Sequence, residues 1–438
     1  MQKLYEVYTA CEGEIGAEKL CPPYHLSKDA DIEVQLYPDG RLAGIVAFVK
    51  PKDGEDNDAF TIYPVTPASY SRQGTTAVMT PHALCDNVKC LNEHYIANMS
   101  EWCSADTYVK ERLSPILTYL TCGTLAADIE KYGVKSNEKS FVRFDILDIG
   151  KPKLYEDKRL RQSHIDHYLA QEQPADDYCY VTGEIAMPAR SNQNPKVGGN
   201  GKLISASDSS NYTYRGRFTK PEQAFSVSGE VMEKAHNALR WLIARQGERQ
   251  GDQTILAFGT GGMKTPLNDS FKHGTSFADD DDEDAPKIID TEDEFASRFN
   301  KAISGYGHNL ERSESVAIIG FDAATSGRLS IYYYTEMPWK ELIANIKSWH
   351  FHTSWLHNYG NRPYFGAPSP ADIIEVAYGE HADDNIKKSV TKRLLPCIAN
   401  GASLPSDIMH SAVNRAVNTG GKDDWRVRKE LAVACALI

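Results

Sequence analysis

No apolar run in the sequence is long enough to cross a bilayer. The longest, LAVACALI at the very end, has eight residues against the roughly 18 to 20 that a spanning helix needs. There is no CxxC pair. The nine cysteines (11, 21, 85, 90, 103, 122, 179, 397, 435) are odd in number and scattered, which disfavours both a disulfide framework and a thiolate metal cluster. A secretory leader is missing too: MQKLYEVYTACEGE places Leu4, Val7, Tyr8 and Cys11 on one face with acids between them, the pattern of a short amphipathic helix. No GxSxG, no nucleophile signature around a cysteine and no internal repeat occurs. Excess positive charge is also lacking. Lys plus Arg is 48 against 60 Asp plus Glu, for a net charge of -12, the reverse of the usual nucleic-acid-binding balance. These absences leave a soluble, reducing, cytoplasmic protein as the expectation.

What is present is an ordinary globular composition, 41% apolar and 25% charged, over 438 residues. That length predicts two or three folding units. The charge is unevenly spread. Residues 278–294 (ADDDDEDAPKIIDTEDE) hold ten acids and one base, so this window carries -9 and leaves -3 for the rest. Like-charge runs of this kind usually form solvated loops, so their charge says little about the folded surface. Three windows are basic: 131–161 at +4, 187–220 at +5 and 386–430 at +5.

Along the chain, IEVQLYPDGRLAGIVAFV reads as a hairpin turning at Pro38-Asp39-Gly40. TIYPV, FVRFDILDI and CYVTGEIAMP read as strands, and 104–121 and 155–172 as helices. Ser226 or Ser228 can cap a helix striped by Val231, Ala235, Ala238, Leu239 and Leu242, with Glu230 and Lys234 paired one turn apart. TILAFGT is a strand, and SVAIIGFDAATSGRLSIYYYTE is a second hairpin. Beyond Pro338 only helical periodicities remain, at about 339–350, 369–379, 383–399, 405–417 and 424–438. The expected fold is α+β: a mixed α/β body over 1–337 with β-hairpins and long loops (189–221 and the acidic 278–294), then an all-helical portion over 338–438. That last helix stops on Leu-Ile without cap or polar tail, so we expect the chain to be cut or to continue naturally into another helical region.

Three groups of residues are candidates for chemistry. FGTGGMKT (258–265) follows a strand, but a Walker loop needs four residues between its glycines and Gly directly before Lys; here Met263 precedes Lys264. His164, His167, His350, His352 and His357 lack the Cys or carboxylate spacing of a metal site. The segment 189–221 has what a nucleic acid requires. Lys196, Lys202, Arg215, Arg217 and Lys220 can neutralise phosphates, Gly198, Gly199 and Gly201 admit close backbone approach, and Tyr212 and Tyr214 can stack or wedge. Asn200 and Asn211 offer two-way hydrogen bonds to base edges. The other reading of this segment is a floppy polar loop. A smaller loop, Ser71 to Thr76, is led by Arg72.

The order of these segments resembles the large subunit of the type I-C CRISPR effector complex (Cascade). SRQGTTAVMTPHALCDNVKCL resembles that family's Arg-x-x-Gly loop and Leu-x-Asp-Asn turn. YVTGE and KLISASDSSNYTYRGRFTKPEQAFSVSGEVMEKAHNALRWLI resemble its Ser-rich stretch, Tyr-containing loop and following helix. GRLSIYYY and the tail from AYGEHADDNIKK through DDWRVRKELAVACALI agree in order and spacing. Tyr214-Arg215 stands where the family commonly has Tyr-Gly, and the family runs on into a small-subunit-like helical region.

The resemblance implies a non-enzymatic protein without cofactor, metal or catalytic residue. Its partners would be the 5′ end of the guide RNA, double-stranded target DNA, the backbone and guide-5′-end subunits, the small subunit and a helicase-nuclease, with no membrane. It would recognise the protospacer-adjacent motif (PAM), promote R-loop formation and help recruit the nuclease. It implies Arg72, Gln73, Gly74 and Thr75 near the guide 5′ end or the motif. Lys196, Gly198, Gly199, Asn200 and Lys202, with Asn211, Tyr212, Tyr214, Arg215 and Arg217, would lie on DNA. The competing readings are a nucleotide- or metal-dependent hydrolase, and a scaffold whose acidic loop mimics nucleic acid.

Overall fold

A computed structural model describes residues 1–14, 16–49, 57–65, 88–136, 140–170, 177–189, 195, 201, 203–204, 218–219, 221–271, 291–311, 313, 315–325, 328–358 and 363–438. The fold is α+β, helices with several small sheets. The chain divides into two units. Met1, Glu12–Gln193 and Ile204–Ala238 form the first, and Gln2–Cys11, Asn194–Leu203 and Leu239–Ile438 the second. Helix α1 (Gln2–Cys11), in the second unit, buries Leu4, Val7, Tyr8 and Cys11, the face that its spacing predicts.

In the first unit, β1 (His25–Asp29) leads into the hairpin of β2 (Ile32–Leu36) and β3 (Leu42–Ala47). Its turn needs glycine. Gly40 has φ +86°, and a Cβ there would meet Thr118 Cβ at 2.9 Å. β4 (Phe60–Pro64) pairs antiparallel with β1, and β5 (Val142–Ile146) pairs parallel with β2 from Ile32↔Val142 to Leu36↔Ile146. Helices α2 (Val88–Ala105), α3 (Thr107–Thr121) and α4 (Leu125–Lys131) precede β5. The helical period across 104–121 conceals a break: Asp106 leaves the helix, and its carboxylate accepts the amides of Tyr108 (2.8 Å) and Val109 as an N-cap. Val34, Leu36, Met99, Trp102, Leu113, Ile116 and Phe144 form the core. α5 (Lys158–Ala170), β6 (Asp177–Tyr178), β7 (Ile185–Ala186) and α6 (Pro221–Ala224) follow. α7 (Gly229–Gln246) is capped by Ser228, whose hydroxyl accepts the Val231 amide at 3.2 Å, and carries the expected Glu230–Lys234 pair at 2.8 Å.

In the second unit, β8 (Glu248–Gln250), β9 (Gln253–Gly259), β10 (Ser315–Thr325) and β11 (Arg328–Pro338) make one antiparallel sheet in the order β11-β10-β9-β8. Helix α8 (Glu292–Leu310) lies between β9 and β10 in sequence. Its N-cap Thr291 and first-turn acids Glu292, Asp293 and Glu294 come from the acidic window, so the expected acidic loop gives way to helix at its last residues. Acids there suit the positive end of the helix dipole. Then come α9 (Trp339–Thr353), β12 (Trp355–His357), β13 (Tyr364–Gly366), α10 (Pro370–Tyr378), α11 (Asp384–Asn400), α12 (Ser406–Val417) and α13 (Asp424–Leu437). The antiparallel pair β12–β13 interrupts the run of helices. One core joins sheet and helices, with Ile255, Val316 and Ile318 packed among Ile303, Leu342, Ile346, Leu394, Ile408 and Val433. No helix among the described residues is long and apolar enough to cross a membrane.

Candidate nucleic-acid interface

The residues singled out for nucleic-acid contact lie outside the described residues: Arg72, Gln73, Gly74, Thr75, Lys196, Gly198, Gly199, Asn200, Lys202, Asn211, Tyr212, Tyr214, Arg215 and Arg217. Described residues that flank these segments are tied into the fold. The sequence residue by residue does not announce these ties.

The first segment starts after Val65, which is fully buried and donates its amide to the Tyr24 carbonyl at 2.9 Å. Tyr24 has φ +60°, a left-handed conformation that a bulky residue adopts only when its surroundings impose it. Here the Glu233 carboxylate accepts the Tyr24 amide at 3.2 Å, and the Tyr24 and Tyr168 rings lie 4.3 Å apart.

Residues that flank the second segment pair with each other beside the β6–β7 hairpin. Ala189 donates to Val227 O at 2.8 Å, Gly229 to Met187 O at 3.1 Å, and Pro188 and Ser228 form an isolated β-bridge. CYVTGEIAMP is therefore a tight turn into a two-residue strand, where its sequence pattern reads as one strand. The Cys179 side chain is buried, and its sulfur accepts the Ser228 amide at 3.4 Å. Burial pushes the Cys179 thiol up, but the amides of Ser228, Thr182 and Val181 outweigh it and hold its pKa below the ordinary value. Gly183, at φ +73°, donates to Cys179 O at 2.8 Å, and Cys179 donates to Glu184 O at 2.9 Å. Tyr180 is tied to Ser226 O at 2.9 Å. On this fixed backbone Tyr178, Tyr180 and Ile185 are 59%, 63% and 60% exposed.

Side-chain placement separates the basic windows. In 386–430 every one of the nine bases has a carboxylate within ion-pair distance. Lys388 meets Asp252 at 2.8 Å, Lys392 meets Asp322 at 2.8 Å, Arg426 meets Glu380 at 2.6 Å, and Lys429 lies between Asp372 (2.9 Å) and Glu375 (2.7 Å). In 131–161 the guanidinium of Arg143 is buried against Glu33 at 2.5 Å, with Tyr155 and Phe48 on its faces. Arg159 lies 3.9 Å from the Tyr108 ring centre, Lys151 pairs with Glu111 and Asp148, and Arg161 bonds the Tyr155 carbonyl. Lys131, Lys135 and Lys158 remain exposed. The positive charge at 386–430 is thus paired throughout and that at 131–161 in part, and the bases of 187–220 lie outside the described residues.

The glycine-rich turn and the histidines also have packed roles. Gly262, at φ +72°, would place a Cβ 2.8 Å from the Trp241 ring, and the amides of Gly259, Thr260 and Gly262 all go to backbone carbonyls. A phosphate cradle needs such amides free. His350 contacts Ser270 Oγ at 3.2 Å, and His357 contacts Gly366 O at 3.0 Å and stacks on Tyr364. His164 packs edge-on against His25 and Trp102. Among the described residues, no three His, Cys, Asp or Glu side chains are grouped to hold a metal ion.

The family model described as CRISPR-associated protein (Cas_Csd1) matches residues 4–438, nearly the whole chain. A search of curated proteins finds no match.

Proposed function

We propose, since the chain belongs to the CRISPR-associated Cas_Csd1 family, that it acts as the non-catalytic large subunit of a type I-C Cascade complex. In that role it reads the protospacer-adjacent motif in duplex DNA, promotes R-loop formation beside the guide RNA and helps recruit the helicase-nuclease. The observation that carries this reading is the match over 4–438, which spans the whole succession of segments from Arg72 to the C-terminal helices. The fate of the basic windows supports it. The nine bases of 386–430 all have carboxylate partners and Arg143 of 131–161 is buried, so neither window offers its full charge to phosphate, while the sequence of 187–220 carries +5. A glycine-rich basic segment suits a groove, because backbone and Arg or Lys can approach closely there.

The test is binding of motif-bearing duplex by the assembled complex across a salt series. Replacing Lys196, Lys202 and Arg215 together with alanine is expected to weaken binding and to flatten the slope of log K against log salt by about 2 to 3, about 0.9 per lost phosphate contact. An unchanged affinity and slope would overturn the assignment. Metal-dependent ATP turnover by the purified chain would instead favour the hydrolase reading.

A further inference from the structure

Where α3 and α5 begin, in the first unit, two exposed bases stand without an ion-pair partner. Arg159, in the first turn of α5, has its guanidinium carbon 3.9 Å from the Tyr108 ring centre. Tyr108 is itself fixed, since its hydroxyl donates to the Asp157 carboxylate at 2.7 Å. Stacking occupies the face of a guanidinium and leaves the N–H donors on its edge for the paired oxygens of a phosphate. The carboxylates beside Arg159 are committed elsewhere. Asp106 accepts the amides of Tyr108 and Val109 and, at 2.6 Å, the Ser163 hydroxyl, while Asp157 accepts Arg112 and the amides of Arg159 and Leu160. Next to Tyr108 in the chain, a groove of about 570 Å³ opens between the C-terminal end of α2 and α3, a volume within the roughly 300–1,000 Å³ of sites that admit a ligand. Ser100 and Ser104 line it from α2, and Thr107, Lys110 and Ser114 from α3. No carboxylate lines it among the described residues. Burial pushes the Cys103 thiol up to about 11, so the groove's sulfur is uncharged at neutral pH. Lys110 is exposed and, like Arg159, has no carboxylate of a described residue within ion-pair distance. Hydroxyls and cations without an opposing acid are the groups that hold a nucleic-acid backbone.

We propose that the junction of α2, α3 and α5 is a contact site for a phosphodiester backbone, with Lys110 and Arg159 on its phosphates and the groove hydroxyls as further donors. This rests on the nucleic-acid reading above and uses none of the residues assigned there. Nothing at the junction is shaped for a base edge, so the site positions a strand without reading its sequence. Target DNA and guide RNA carry the same backbone chemistry, and the experiment distinguishes them.

The experiment uses the full chain in its assembled complex, with Lys110→Ala/Arg159→Ala as the variant; both side chains are exposed, so the core does not depend on them. If the phosphates are those of target DNA, duplexes with and without the motif are bound more weakly to the same degree. The slope of log K against log salt then flattens by about 1 for each cation removed, about 2 in all. In the unaltered complex, acetylation of Lys110 by an amine-reactive reagent, read by mass spectrometry, falls when duplex is added. If the phosphates are those of guide RNA, the variant complex is recovered with less RNA per protein, and its salt slope for duplex is unchanged. Full RNA content together with unchanged duplex affinity and slope overturns the site. If that happens while the Lys196, Lys202 and Arg215 variant flattens the slope, the function proposed above stands without this site; if neither variant has an effect, both fall.

Discussion

The first and second units neutralise their basic windows by different means. In the first, Arg143 and Arg112 are withdrawn almost wholly from water, each against one carboxylate, Glu33 and Asp157. In the second, Lys387, Lys388, Arg393, Arg426 and Arg428 pair at or near the surface with acids that often come from distant sequence. The first arrangement is brittle, because removing one partner leaves a buried charge without compensation. The second is tolerant, because exposed pairs are individually weak and screened by salt. A locally positive stretch of sequence can thus have less free positive charge once folded than its count suggests, for either of two reasons.

The largest effect is expected at the buried pair. Arg143→Met strands Glu33 and should cost about 3–5 kcal/mol in chemical denaturation, enough to unfold the first unit preferentially. Adding Glu33→Met should recover much of that loss. A loss no larger than a surface pair would give means that the first unit is not brittle in this way.

Acid should weaken both units. Burial drives the pKa of His25 down to about 3 and that of His164 well below its usual value in the first unit, and it takes His350 down to about 3 in the second. The folded state keeps these rings neutral, while the unfolded chain takes up protons below about pH 6.5. Their contribution is therefore fully present above that pH and is lost as pH falls from there toward 3, by about 1.4 kcal/mol per pH unit for each ring. Both units should therefore lose stability between pH 6.5 and 5, as followed by hydrogen exchange in each unit. A unit whose stability does not change there would contradict this.

The smallest effect is expected in the second unit. Arg426→Ala, which removes the pair with Glu380, should change stability by no more than about 0.5 kcal/mol. A combined Lys387→Ala/Arg428→Ala variant should leave the salt slope of duplex binding by the complex unchanged. A flatter slope would mean that this face contacts phosphate despite its pairing.

Much of the fold could be read from local chemistry. The buried face of α1, the Pro38-Asp39-Gly40 turn and the Ser228 cap all depend on residues within one or two turns of each other. What could not be read depends on distant partners. The parallel pairing of β2 with β5, the β1–β4 ladder and the carboxylates facing Lys388 and Lys392 join residues far apart in sequence. The β6–β7 turn did carry a local signal, Gly183 at φ +73° closing the backbone bonds of Cys179, which the reading of CYVTGEIAMP as one strand passes over. Of the candidate interface, composition reveals the basic segment 187–220 but not the hairpin beside which its flanking residues pair, since three exposed apolar residues among CYVTGEI look like an ordinary strand. Counting cations by window misleads for 386–430 because charge counted along the chain omits Asp252, Asp322 and Glu380.

The parallel register of β2 and β5 also sets a schedule for synthesis. A ribosome adding about 5–20 residues per second needs roughly 5 to 20 s to pass from Ile32 to Val142, whereas a hairpin closes in about 1–10 μs. Through that interval the emerging β2–β3 hairpin has one backbone edge unmatched, and Val34 and Leu36 wait for their cover. The nascent chain is most prone to wrong pairing in those seconds, so slowing translation between codons 50 and 140 should lower the yield of folded protein more than slowing it after codon 340.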